Sequence, residues 1–177
     1  INKLYNNLKK LRYHLHKTRE PGGSKTAETI RNLIFSKTSN KFDKLTDYYL
    51  MNAARNEHVK KTLTLCKREK KLVISDRFID STFAYQVVAN KINKKINSMN
   101  QNYIIKNIKP HLTIVLKSNF KVIYSRIKKR NQTNKFDKLK INFYKKAQNA
   151  FLSLAKNNKK YLVFDSSKNT TELEKKI

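Results

Sequence analysis

Leu72-Val73-Ile74-Ser75-Asp76-Arg77-Phe78-Ile79-Asp80-Ser81-Thr82-Phe83-Ala84-Tyr85-Gln86 is the stretch on which the fold turns. Leu72 to Ser75 is a short continuous apolar run, the pattern of a strand buried on both faces. After Asp76-Arg77 the pattern returns to helix through Gln86 and beyond. A strand that passes through a charged pair into a helix is one unit of an alternating architecture, and the flanking sequence supplies the others.

Upstream, Leu4, Leu8 and Leu11 share one face of a helix, with lysine and asparagine between them. Tyr13 to Lys17 reads as a strand running into the turn Thr18-Arg19-Glu20-Pro21-Gly22-Gly23-Ser24, which holds the only two glycines of the 177 residues. Ala27 to Phe35 predicts a helix with Ile30, Leu33 and Ile34 on one side. Residues 45–67 predict another, carrying Leu50, Ala53, Ala54, Val59 and Leu63.

Downstream, the Lys/Asn-rich residues 90–102 read as helix and loop at the surface. Leu112 to Leu116 is the clearest strand. A helix over Lys121 to Lys129, a polar segment at 130–134 and a long helix with Phe143, Ala147, Phe151 and Leu154 follow. Tyr161 to Phe164 is the last strand, and Glu172 begins a closing helix. There is no internal repeat and no linker, so the expectation is one domain over 1–177. Strands alternating with helices predict an α/β fold, a parallel sheet covered by helices on both faces.

The formal charge is +29. Only eight of the 41 basic residues are arginine, and lysine and asparagine are spread along the whole chain. A diffuse charge of this kind is a compositional bias, as an AT-rich genome imposes, and not the clustered footprint of dedicated nucleic-acid binding. Cys66 is the lone cysteine, which excludes a disulfide framework and a thiolate zinc site. The histidines at 14, 16, 58 and 111 have no metal-ligand spacing. No apolar stretch approaches the ~20 residues of a membrane span, and no secretory signal is visible. These features suit a cytoplasmic enzyme.

Four blocks in order carry a resemblance: Arg19-Glu20-Pro21-Gly22-Gly23; Ala53-Ala54-Arg55-Asn56-Glu57-His58; Asp76-Arg77-Phe78 with Ser81-Thr82 and Ala84-Tyr85-Gln86; and Asp165-Ser166-Ser167. Together they resemble thymidylate kinases, over nearly the whole chain. The resemblance implies a P-loop nucleoside-monophosphate kinase fold that transfers the γ-phosphoryl group of ATP to dTMP, giving dTDP and ADP. It also implies magnesium and a homodimer. Two alternatives stand beside it: a relative with another acceptor such as dUMP, and a catalytically dead nucleotide- or nucleic-acid-binding protein.

By the same resemblance, Arg77 binds the dTMP phosphate, and Asp76 lies near magnesium or its waters. Arg55 hydrogen-bonds the thymine ring, and Ser81, Thr82 and Gln86 complete the base and sugar contacts. Tyr85 lies near the sugar, Glu20 and Pro21 shape the acceptor pocket, and Arg31 approaches it from the next helix. A lid over about 130–142 would follow Arg126-Ile127-Lys128-Lys129-Arg130, with Arg126 and Arg130 toward ATP and Lys135 in the lid itself. Read without the family, Asp76-Arg77 is also a strand-end ion pair, Tyr85 a core aromatic, Arg31 an exposed helix residue and Arg130 a solvated basic turn.

Three departures from the family pattern matter. Met51 stands where a phenylalanine stacks on thymine, and a thioether can still lie against a ring. Lys135 replaces a lid arginine, keeping charge but losing bidentate geometry. The Gly-x-x-x-x-Gly-Lys-Ser/Thr loop that wraps ATP's phosphates is absent from these residues. In the family that loop follows the central strand, so the expectation is that about 20 further residues, a strand plus a loop, precede Ile1.

Overall fold

The computed structural model describes residues 1–36, 42–129, 140–167 and 172–174. The elements run α1 (Asn2–Lys10), β1 (Leu15–Arg19), α2 (Lys25–Phe35), α3 (Lys44–His58), α4 (Thr64–Arg68), β2 (Leu72–Asp76), α5 (Ile79–Thr82), α6 (Lys94–Ile105), β3 (Thr113–Lys117), α7 (Phe120–Lys128), α8 (Ile141–Ala155) and β4 (Tyr161–Asp165). A π-helical turn at Val59–Leu63 joins α3 to α4, and another at Phe83–Ala89 extends α5. Helix starts follow local chemistry. The Ser24 hydroxyl accepts from the Ala27 N–H, the Asp43 carboxylate from Leu45 and Thr46, and Asn93 and Asn119 cap α6 and α7 in the same way.

Among the described residues all strand pairing is parallel, as expected of an α/β chain. β1 pairs with β2 in a register that sets Leu15 opposite Leu72 and Arg19 opposite Asp76. β3 pairs with β4, with Thr113 opposite Tyr161. Among the described residues these are two separate two-stranded sheets, and no ladder joins β2 to β3. The expectation that Leu72–Ser75 is buried on both faces is therefore corrected: Leu72 is 44% exposed and the next three residues are half-buried. Leu116 and Leu162 are likewise 53% and 44% exposed. A two-stranded unit with an open edge cannot enclose its own side chains.

The core gathers between helices and behind the strands. Ala27 and Ile34 of α2 face Tyr48 and Ala54 of α3, all four wholly buried. A second cluster packs Ala84 against Ala147 and Ala150 of α8, ringed by Phe83, Tyr85, Val88 and Phe151. Residues 90–102 are helix and loop with most side chains at the surface, as expected, but one face of α6 packs on α3 and buries Asn97, Gln101 and, just beyond, Ile105. The polar residues on that face concealed its burial. No helix among the described residues is long and apolar enough to cross a membrane.

Candidate active site

The carboxyl ends of β1 and β2 lie side by side because of their register, and the turns that leave them carry the site. Open α/β sheets bind ligands at such ends. The Glu20 N–H donates to the Asp76 carbonyl at 2.9 Å, which ties the two exits together. The Glu20–Pro21 peptide is cis, and Gly22 and Gly23 follow with φ of +127° and +88°. Those values suit glycine and few other residues.

Glu28 of α2 closes this turn from below. Its carboxylate accepts the Gly23 N–H at 3.0 Å and the Arg19 guanidinium at 2.7 Å. The hydrogen bond from Arg19 holds its carboxyl below the ordinary range. Arg31, one turn along α2, donates to the Pro21 carbonyl at 2.8 Å and lies 4.7 Å from the Phe35 ring centre. Burial, then the like charge of Arg19, pushes the Arg31 guanidinium below its ordinary value, with Arg77 adding to the effect. Arg19 stands opposite Asp76 in the β1–β2 register, and Arg77 follows Asp76 directly.

Arg77 leaves β2 with φ of +70°, a left-handed conformation uncommon for a residue with a side chain. The Ser75 hydroxyl donates to its carbonyl at 2.7 Å and steadies the bend. The exposed Arg77 side chain sits 5.0 Å from the Tyr85 ring centre. Tyr85 in turn stacks on Phe143 and meets Phe151 edge-on, each at 5.9 Å. It is therefore a core aromatic as well as the platform under Arg77.

Behind these exits lies a buried polar network. Arg55 of α3 is 3% exposed. Its Nε and Nη2 donate to Glu20 Oε2 at 2.8 and 2.7 Å. Its Nη1 donates to Thr82 Oγ1 at 2.9 Å and to Gln101 Oε1 at 3.1 Å. The guanidinium also lies 5.7 Å from the Phe78 ring centre. His58, wholly buried, joins Glu20 Oε1 through Nδ1 at 3.0 Å and Thr18 Oγ1 through Nε2 at 2.7 Å. Burial pushes the Glu20 carboxyl up, but Arg55 and His58 outweigh it and hold it below the ordinary value.

The expected site residues therefore fall into groups. Glu20, Arg55 and Thr82 are in direct contact, Arg31 holds Pro21, and Arg77 rests on Tyr85. Met51 is half-buried one turn before Arg55, Ser81 is half-buried on α5, and Gln86 is buried in the π-helical turn. Arg126 belongs to the other sheet, where it donates to the Ser166 carbonyl beyond β4 at 2.7 Å. Arg130, Lys135 and most of the expected lid lie outside the described residues. The sequence reading assigned no role to Thr18, Arg19, Glu28, His58 or Gln101. The first four sit in or beside the quoted blocks, whereas Gln101 lies in a Lys/Asn-rich run without a distinguishing signal.

This constellation has counterparts. A family model described as "Thymidylate kinase" matches residues 1–177. The chain belongs to the thymidylate kinase family. It is 36% identical over 174 residues to a thymidylate kinase of Mycoplasma capricolum, covering 97% of this chain and 82% of that protein. To one of a Sulfurihydrogenibium species it is 33% identical over 178 residues, covering 100% and 86%. The crystal structure of thymidylate kinase from Ehrlichia chaffeensis superposes with a TM-score of 0.76 at 25% identity, covering 98% of this chain and 84% of that one. The fold is accordingly that of the P-loop nucleoside-monophosphate kinases. The activity is phosphoryl transfer from ATP to dTMP.

Proposed function

We propose that the dTMP acceptor binds across the carboxyl ends of β1 and β2, with its phosphate at Arg77 and its base toward Arg55. The observation that carries this reading is the placement of cations at the paired strand ends: Arg19 stands opposite Asp76 in the register, Arg77 follows Asp76 directly, and Arg31 reaches the Pro21 carbonyl from α2. A phosphate monoester has a second pKa near 6, so its attacking oxygen is ionised around neutral pH. No general base is needed. What the reaction requires is fixed positive charge that holds two mutually repelling phosphates in line. Arginine meets that need because its planar fork stays charged and grips phosphate bidentately.

In this reading Glu20 and Pro21 form the pocket wall and Met51 lies against the thymine. Ser81, Thr82, Tyr85 and Gln86 line the base and sugar side. Arg126 faces ATP, with Arg130 and Lys135 as the lid cations. Magnesium suits the strand end: it keeps several waters and asks for one or two carboxylates plus substrate phosphates. Asp76 offers one exposed carboxylate there, and the described residues contain no cluster of three or more His, Cys, Asp or Glu side chains that would form a closed cage. When bound, the ion would neutralise phosphate charge beside Asp76.

A homodimer belongs to the same proposal. Ile96, Met99 and Tyr103 form a stripe at helical spacing on α6 and are 39%, 64% and 78% exposed. Leu45 and Tyr49 form another on the neighbouring α3, at 45% and 49%. A second copy of this chain would cover both. Sedimentation of the Met99→Asp variant should then show monomer where the parent shows dimer.

The direct test is ADP release with dTMP, dUMP, dCMP and AMP, repeated with Arg77→Ala. The expected result is turnover on dTMP that Arg77→Ala suppresses through the KM for dTMP, with the KM for ATP unchanged. An unaltered dTMP affinity in that variant would overturn the placement of the phosphate.

A further inference from the structure

Gln101 and Arg55 come from helices far apart in sequence, yet Gln101 determines what Arg55 has left to offer a ligand. A guanidinium carries five N–H donors. Glu20 takes one from Nε and one from Nη2, and Thr82 and Gln101 take the two of Nη1. Among the described residues, this leaves a single Nη2 N–H on a side chain that is 4% exposed.

The orientation of the Gln101 amide is itself determined by its neighbours. Asn52 Nδ2 donates to the Tyr48 carbonyl at 2.8 Å, so Asn52 presents its oxygen to α6. Gln101 Nε2 donates to that oxygen at 2.7 Å and to Asn97 Oδ1 at 3.3 Å. Both amide hydrogens are thus engaged, and Oε1 is left to face Arg55. A flipped amide would set N–H against N–H at Arg55 and oxygen against oxygen at Asn52 and Asn97. Asn52, Asn97 and Gln101 are all at least 90% buried, where an unmet donor is costly.

We infer that Gln101 is a specificity-determining positioning residue: by accepting the second Nη1 N–H it locks the Arg55 guanidinium so that one N–H alone is presented to the base. This rests on the reading of Arg55 as the thymine contact. A pyrimidine with a carbonyl at position 4 accepts that N–H, whereas an exocyclic amino group there meets it donor to donor. Without Gln101, the freed Nη1 N–H would have no partner in the network. The guanidinium would then roll to find one, and the discrimination would fall with it.

The test is the steady-state behaviour of Gln101→Met, which keeps the length and removes the acceptor, beside Gln101→Glu, which keeps an oxygen toward Arg55. For Gln101→Met the KM for dTMP should rise about tenfold, the worth of one charge-assisted hydrogen bond. Its kcat and the KM for ATP should stay within about twofold, and the preference for dTMP over dCMP should fall about tenfold. Gln101→Glu still accepts from Arg55, although it loses the donors to Asn52 and Asn97, and should recover part of the dTMP affinity. Equal loss in both variants, or an unchanged dTMP KM in Gln101→Met, overturns the proposal. If Gln101→Met melts below the assay temperature, Asn52→Ala, which removes the acceptor that orients Gln101, must raise the dTMP KM in the same direction. An unchanged KM there overturns the proposal equally. Arg55→Lys, run in parallel, separates the two ideas. If it raises the dTMP KM while Gln101→Met does not, Gln101 alone is misassigned. If it leaves the dTMP KM untouched, the thymine reading of Arg55 fails first.

Discussion

Gly23 lies so close to His58 that a Cβ on it would stand 2.5 Å from two atoms of the imidazole ring, with the Thr18 hydroxyl closer still. The Thr62 hydroxyl fastens the same residue by donating to its carbonyl at 2.7 Å. Gly23→Ala therefore meets both a left-handed backbone and an occupied space. Unfolding stability should fall by about 3 kcal/mol, read as a drop in Tm of roughly 10 °C. An unchanged Tm would show that the turn can move off His58.

Arg77 is a different kind of residue, exposed and held in a strained turn. Arg77→Lys keeps the charge but not the fork, so kcat/KM for dTMP should fall about a hundredfold. The melting temperature should barely move. The comparison of kinetics with thermal melts distinguishes a ligand contact from a structural one. A large loss of Tm would make Arg77 part of the scaffold.

Glu20 gives the protein an acid-sensitive joint. Its carboxyl is held below the ordinary value of 4.5 in the native state. Its ionised form thus contributes stability that is fully present above 4.5 and is lost as pH falls through the lower native value. Glu20→Gln should be destabilised by about 3 kcal/mol at neutral pH, because Arg55 is left buried without its counter-charge. Melting curves from about pH 7 to about pH 3 should show the parent losing this advantage over the variant. Parallel curves for the two proteins would refute the role given to Glu20.

Asp80 behaves in the opposite sense. Burial pushes its carboxyl above the ordinary 3.8, while the Tyr161 hydroxyl, which donates to it at 2.9 Å, partly offsets that rise. Tyr161 is itself pushed up to about 12 by burial and by Asp80. Ionised Asp80 is then less stable in the folded protein than in the unfolded chain, so its contribution worsens as pH rises above 3.8. Asp80→Asn keeps an acceptor for Tyr161 and should melt at the same temperature or higher at neutral pH. Tyr161→Phe removes the donor and should cost about 2 kcal/mol. A lower Tm for Asp80→Asn would contradict this account.

Local signals were enough for the alternation of elements and for the exits that build the site. Leucines at helical spacing gave α1, the apolar runs gave β2, β3 and β4, and the two glycines marked the turn after β1. Arg55 and Arg77 were legible as candidate site residues only through the order of motif blocks, not through any property of their own. Met51, Ser81 and Gln86 were named on the same ground; they lie on α3, on α5 and in the π-helical turn after it. Where composition misled was α6: asparagine and glutamine suggest solvent, and nothing nearby in sequence reports that Asn52 will meet them.

The sequence by itself determined which segments are helix or strand and where the backbone must turn, because periodicity, capping residues and the conformational freedom of glycine act over a few neighbours. Only the tertiary structure decided that Arg55 is a buried and clamped cation, that His58 underlies Gly23, and that Gln101 completes the network. Those partners are 35 to 46 residues apart along the chain. Their meeting depends on the parallel register of β1 with β2 and on the packing of α6 against α3, and a buried charge or amide can choose its partner only once that packing has excluded water.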